Sequence, residues 1–190
     1  VFACQFDGVV FTNLTSEHLD YHKTLGQYFE SKKKLFSDHL VKSRKERRFA
    51  VTNHDDPRGE EMVKGMDLRV IRYGLTPSCD VTADRVTSSF EGLSCRIKTP
   101  KGDLSIRSKL AGDFNLYNIL ASVATAVAMD VPLDILKDGI EGLEGVSGRF
   151  EKVENENGRN IIVDYAHTPD ALQNVLETIN LIRKHQEKLI

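Results

Sequence analysis

The stretch Phe49–Gly74, FAVTNHDDPRGEEMVKGMDLRVIRYG, holds the pattern that decides the fold. Phe49 to Thr52 is an apolar, strand-like run that closes on the polar turn NHDDP. Residues 58–65 read as a helix, and Leu68 to Gly74 as a second strand. Strand, helix and strand in succession point to a mostly parallel α/β sheet. Upstream the pattern repeats. Phe6 to Phe11 is a short buried strand with polar residues, Thr12 and Asn13, at its C-terminal edge. Gln27 to Leu40 sets Tyr28, Leu35 and Phe36 among basic residues and reads as a helix.

Downstream the alternation stops. Between Cys79 and Leu110 the turns FEG and PKGD split three strands, which predicts a small antiparallel meander. Asn115 to Met129, NLYNILASVATAVAM, is a strong and largely buried helix, and Pro132 to Ile140 is expected to form another. Gly139, Gly142, Gly145 and Gly148 then recur three apart, a candidate boundary because glycine favours turns over packed structure. The expected domains are therefore 1–148 and 149–190. The second opens with a hairpin whose later strand is Ile161 to Asp164, and a helix starts at Pro169.

Charge and composition narrow the function. The 190 residues carry 26 Lys and Arg against 28 Asp and Glu, a net charge of -2. That balance argues against a general nucleic-acid binder but permits a local basic pocket. Cys4, Cys79 and Cys95 are odd in number and contain no C-x-x-C pair, which favours a reducing, cytoplasmic setting. No apolar run approaches the ~20 residues that span a bilayer. The chain starts without methionine in an apolar strand and stops in a helix, so it reads as a piece of a longer protein.

Several residue groups carry possible chemistry. HLDYH places His18 and His22 four apart, but Leu19 stands where a zinc protease needs glutamate. His18 lies five residues after Asn13, beyond a strand's carboxyl end, where ligands of open α/β sheets collect; a plain polar loop is the alternative. Lys32, Lys33 and Lys34 would ordinarily be a solvated face, yet three consecutive positions cannot share one side of a helix. In GDFNLYN, Asn115 and Asn118 share a face at a helix start. Capping by Asp113 or Asn115 accounts for one of them but not for Asn118. Arg149 follows the glycines, where a guanidinium could reach a phosphate. Asp164 ends a strand with His167 close behind, a position from which a carboxylate can bind a ribose. No G-K-[ST] occurs, so the chain has no P-loop.

Taken together, FTNLTSEHLDYH, YFESKKKLF, GDFNLYNILAS, GRFE and VDYAHTPDAL resemble the Mur ligase family, in the family's order and across nearly the whole chain. VDYAHTPDAL points to the branch that makes the UDP-N-acetylmuramoyl-tripeptide. The resemblance implies the C-terminal part of a mostly parallel-sheet ATPase domain with a small antiparallel meander, then the start of a Rossmann-like α/β domain. It implies an ATP-dependent amide ligase of cytoplasmic peptidoglycan synthesis. ATP would phosphorylate the carboxylate of UDP-N-acetylmuramoyl-L-alanyl-D-glutamate, and an amino acid, meso-diaminopimelate or L-lysine, would attack the acyl phosphate. By the same resemblance His18 is a magnesium ligand and Lys32 a lysine carbamylated by CO2, with Lys33 a weaker competitor. Asn115 and Asn118 match positions near the adenine, Arg149 an ATP-phosphate contact and Asp164 a ribose or phosphate-side contact. His167 accompanies them, while Asn13 and His22 fall on the substrate side. The family's P-loop and UDP-binding domain would lie upstream of Val1, so the 190 residues alone are expected to be inactive. Cyanophycin synthetase and folylpolyglutamate synthase share the core and are the rival enzymes. A non-catalytic scaffold on that core and a zinc module using His18 and His22 are the rivals from other classes.

Overall fold

The computed structural model describes residues 4–15, 22–183 and 188–190. Three parallel strands, β1 (Gly8–Phe11), β2 (Phe49–Asn53) and β3 (Arg69–Tyr73), pair in the order β1-β2-β3, with Val9 opposite Ala50 and Val51 opposite Ile71. Between β1 and β2 runs helix α1 (Leu25–Lys34), and between β2 and β3 the short helix α2 (Gly59–Val63). The α/β reading of the sequence therefore holds.

The central strand shows why. All five residues of β2 are buried, and their side chains alternate between two cores. Phe49 and Val51 join Ile71 and Tyr73 in one core. Ala50 turns to the other, with Val9, Phe11, Phe29, Phe36, Leu40 and Met62. A sheet covered on both faces needs such a continuous apolar strand.

One difference from the sequence reading lies in the stretch expected as a single helix over Gln27–Leu40. The helix starts earlier, at Leu25, because the Thr24 hydroxyl accepts from the Gln27 N–H at 3.2 Å. Its last six residues, Leu35–Leu40, are wound as a π-helix that buries Phe36 and Leu40. The wider turn carries those two side chains into the second core.

The meander forms as expected: β4 (Thr82–Ser89), β5 (Gly92–Thr99) and β6 (Gly102–Ser108) pair antiparallel in sequence order. It joins the parallel sheet through Val81, which bridges Tyr73. Helix α3 (Asp113–Ala128) fills the first core with Leu116, Ile119, Leu120, Val123 and Val127. Their spacing marks one helical face, and each such side chain contributes roughly 1.5–3 kcal/mol when fully buried. Arg69 donates to the carbonyls of Val127 and Ala128, satisfying the C-terminal end of α3.

Helix α4 (Leu133–Glu141) follows, and it contains Gly139 within its last turn. Of the four spaced glycines, Gly139 is helical, Gly142 is the C-cap, and Gly145 and Gly148 follow the helix. The hairpin β7 (Glu151–Val153) and β8 (Ile161–Val163) comes next, then helix α5 (Pro169–Ile182). Among the described residues no helix is long and apolar enough to cross a membrane.

Candidate functional site

The first half of the site sits at the carboxyl end of β1. Lys32 Nζ donates to the Asn13 carbonyl at 3.1 Å and lies 4.5 Å above the centre of the Tyr28 ring. His22 stacks on the same ring at 4.9 Å. Lys33 instead lies over Phe29, 5.4 Å from its centre, and Lys34 is exposed. The helical turn between consecutive residues sorts the three lysines, and Lys32 is the one aimed at the sheet edge. His18 falls outside the described residues.

Lys32 as an ammonium would repel a cation. Carrying a CO2-derived carboxylate it would present hard oxygen donors, the type magnesium takes. Among the described residues no group of three or more His, Cys, Asp or Glu side chains is placed to hold a metal ion.

The second half forms around the start of α3. A cleft of about 330 Å³ is lined by Asn115, Asn118, Arg149 and Asp164, four residues from three separate motifs. Phe114, Val146, Ala171, Asn174 and Val175 complete it. Its volume lies at the small end of small-molecule sites, roughly 300–1,000 Å³. A neighbouring cavity of about 550 Å³ opens beyond the carboxyl ends of the three parallel strands, with Asn13, Asn53, Asp55 and Tyr73 on its wall.

The asparagines are not caps. Gly112 is the N-cap of α3 and supplies no side chain. Asn115 is buried and donates to the Ala111 carbonyl at 2.8 Å, while its own Oδ1 accepts from Asn118 Nδ2 at 3.4 Å. The pair is thus latched together, with Asn118 exposed to the cleft.

Arg149 is exposed and rests its guanidinium 5.7 Å from the centre of the Tyr165 ring. Asp164 accepts from the N–H groups of Phe150 at 2.7 Å and Ala166 at 2.8 Å. It therefore ties β8 to the segment entering β7, and a carboxylate retains further acceptor positions after two such bonds. His167 lies outside both cavities, its Nδ1 paired with the Tyr165 carbonyl at 2.9 Å.

The sequence reading missed Asp55 and Tyr117. Asp55 accepts from the Leu75 N–H at 2.6 Å, the Thr76 hydroxyl at 2.7 Å and the Tyr117 hydroxyl at 2.8 Å. It thereby joins the end of β2, the chain after β3 and the helix bearing the asparagine pair. Partial burial alone would raise its pKa; the hydrogen bonds from Leu75, Thr76 and Tyr117 outweigh that and hold it below the ordinary carboxylate value. Its sign follows: the stabilisation is present above the unfolded pKa and disappears as pH falls through the lowered folded one. Tyr117→Phe is expected to lower stability at pH 7 by about 1 kcal/mol, the usual worth of one such bond. Thermal melts across pH 7 to 3 should show the difference from the parent shrinking on the acid side; a constant difference would remove Asp55 from the account.

A parallel α/β sheet with an appended meander, a lysine at its carboxyl edge and an asparagine–arginine–aspartate cleft define a class: the chain belongs to the Mur ligase family. Residues 1–126 match the Mur ligase middle domain, and residues 148–190 the glutamate ligase domain of Mur ligases. Among curated proteins it is 50% identical over 177 residues to the UDP-N-acetylmuramoyl-L-alanyl-D-glutamate--2,6-diaminopimelate ligase of Geobacter metallireducens, covering 93% of this chain and 35% of that protein. It is 41% identical to the ligase of that name from Geobacillus kaustophilus, over 97% of this chain and 38% of the relative. A solved UDP-N-acetylmuramoyl-L-alanyl-D-glutamate--2,6-diaminopimelate ligase superposes with a TM-score of 0.78 at 31% identity, over 96% of this chain and 37% of that one. The fold is shared with MurF of Acinetobacter baumannii, at a TM-score of 0.83 and 20% identity over 94% of this chain and 38% of that one. The chain thus spans little more than a third of the relatives it matches.

Proposed function

We propose that the protein carrying this chain is an ATP-dependent amide ligase of cytoplasmic peptidoglycan synthesis, which adds a diamino acid to UDP-N-acetylmuramoyl-L-alanyl-D-glutamate. Meso-diaminopimelate is favoured over L-lysine because the named relatives are 2,6-diaminopimelate ligases. The observation that carries the proposal is the convergence of Asn115, Asn118, Arg149 and Asp164 on one cleft. The matched segments end at 126 and resume at 148, which supports a domain boundary near Gly148, with 1–148 and 149–190 on its two sides.

The chemistry follows from the residues. A carboxylate resists an amine until one of its oxygens leaves as phosphate, so the reaction needs ATP held against the acceptor. Asn115 and Asn118 face the base, and Asp164 accepts from the ribose. Arg149, exposed and resting over Tyr165, supplies a fork of donors to phosphate oxygens. Lys32 as its carbamate, together with His18, would hold magnesium, which when bound offsets the negative charge gathered during phosphoryl transfer. His22 and Asn13 buttress that edge, and His167 orients the loop after β8.

The test is phosphate release by the full-length protein with ATP, magnesium and UDP-N-acetylmuramoyl-L-alanyl-D-glutamate. Meso-diaminopimelate, L-lysine and no amino acid are compared. Release that depends on meso-diaminopimelate is the expected result; release with L-lysine alone reassigns the substrate, and none with either overturns the ligase. The 190 residues by themselves are expected to release none, since they contain no P-loop.

A further inference from the structure

We infer that Asn174, on helix α5, reads the base of the bound nucleotide and makes the site selective for adenine over guanine. The inference rests on the nucleotide reading of the cleft given above. Ala171, Asn174 and Val175 all line that cleft, and their spacing puts them on one face of α5. Thr178, next along the same face, is 5% exposed and is packed against Gly112 at the start of α3. The packed face of α5 is therefore the face that carries Asn174.

The cleft suits a flat heterocycle. Phe114, Val146 and Val175 supply apolar walls, while the amides of Asn118 and Asn174 both line it, one from α3 and one from α5. On the α3 side Asn118 Nδ2 is engaged by Asn115. Asn174 is exposed, and its side chain makes no hydrogen bond to any described residue. An amide offers one acceptor beside one donor. Adenine presents the complement, an amine donor beside a ring-nitrogen acceptor, whereas guanine at the same edge presents two acceptors. Asn174 satisfies the first pair and leaves a mismatch with the second.

The experiment measures kcat/KM of the full-length protein with ATP and with GTP. The parent is expected to prefer ATP, and Asn174→Leu to lower the ATP-to-GTP ratio by about ten- to a hundredfold, the span of a lost bidentate base contact. Asn174→Gln should keep most of the ratio, since it preserves the amide. Asn174→Ser serves as a second, smaller truncation with the same expected loss. Asn118→Ala runs beside them as the control on the site itself. A ratio unmoved by both truncations, while Asn118→Ala raises the KM for ATP, overturns the role of Asn174 and leaves the site standing. No change in any of the variants overturns both. Equal use of ATP and GTP by the parent also overturns the inference.

Discussion

Lys32→Ala in the full-length protein is expected to lower kcat by about two to three orders of magnitude, the scale on which removing one preorganised charge-stabilising group acts. Lys33→Ala should stay within about twofold of the parent, because its ammonium lies over Phe29 and away from the sheet edge. The contrast between neighbours is the informative part. Both side chains are half-buried, and both rest on an aromatic ring. Their ring contacts are of the same size, on the order of 0.5–1 kcal/mol for a contact of this kind, and Lys32 adds only one exposed bond, to the Asn13 carbonyl. Thermal midpoints of the two variants should accordingly be similar while their turnover differs widely. If Lys32 acts as a carbamate, depleting dissolved CO2 should slow the parent enzyme and leave the residual rate of Lys32→Ala unchanged. Equal turnover in the two alanine variants would return Lys32 to the role of a surface charge bonded to Asn13.

The parts of this molecule that sequence made legible are those whose cause is local. β2 and β3 were readable because apolar runs of strand length flank a polar turn and a short helix. α3 was readable because Leu116, Ile119, Leu120, Val123 and Val127 fall on one face. The π-helical segment that follows α1 was not, since nothing in LFSDHL distinguishes a six-residue π turn from ordinary helix. It is set by how Phe36 and Leu40 fit the second core. In the site, Asn115, Asn118, Arg149 and Asp164 converge on one cleft, yet the environment of each was hidden. Asn115 serves Ala111 rather than capping the helix, and Asp164 is held by two backbone N–H groups. Asp55 and Tyr117 were missed because 62 positions separate the two partners of their bond. Asn174 did have a local signal, its shared face with Ala171, Val175 and Thr178, but that face gains meaning only once α3 is seen opposite.

Gly112→Ala is expected to be the most damaging single substitution near the cleft. Gly112 has φ 91° and ψ 156°, a region essentially reserved for glycine, where another residue costs about 1–3 kcal/mol. A Cβ there would also stand 2.7 Å from Thr178 Cγ2 and 3.0 Å from Phe114 Cε1, so α5 or the Phe114 ring must yield. Backbone strain and overpacking together should remove roughly 2–4 kcal/mol, and at about 2–4 °C per kcal/mol the melting temperature should fall by around 5–15 °C. The two causes separate in a double variant. Thr178→Ser deletes the clashing methyl and keeps the hydroxyl, so Gly112→Ala with Thr178→Ser should recover the steric share and leave the strain. Function should follow the geometry, because Phe114 lines the cleft from α3 and Thr178 sits one turn beyond Asn174 on α5. Pushing the helices apart should raise the KM for ATP several-fold in Gly112→Ala, and the double variant should bring it part of the way back. A Gly112→Ala protein that melts with the parent would mean that the chain relaxes locally. The close seat of α5 on α3 would then not be what shapes the cleft.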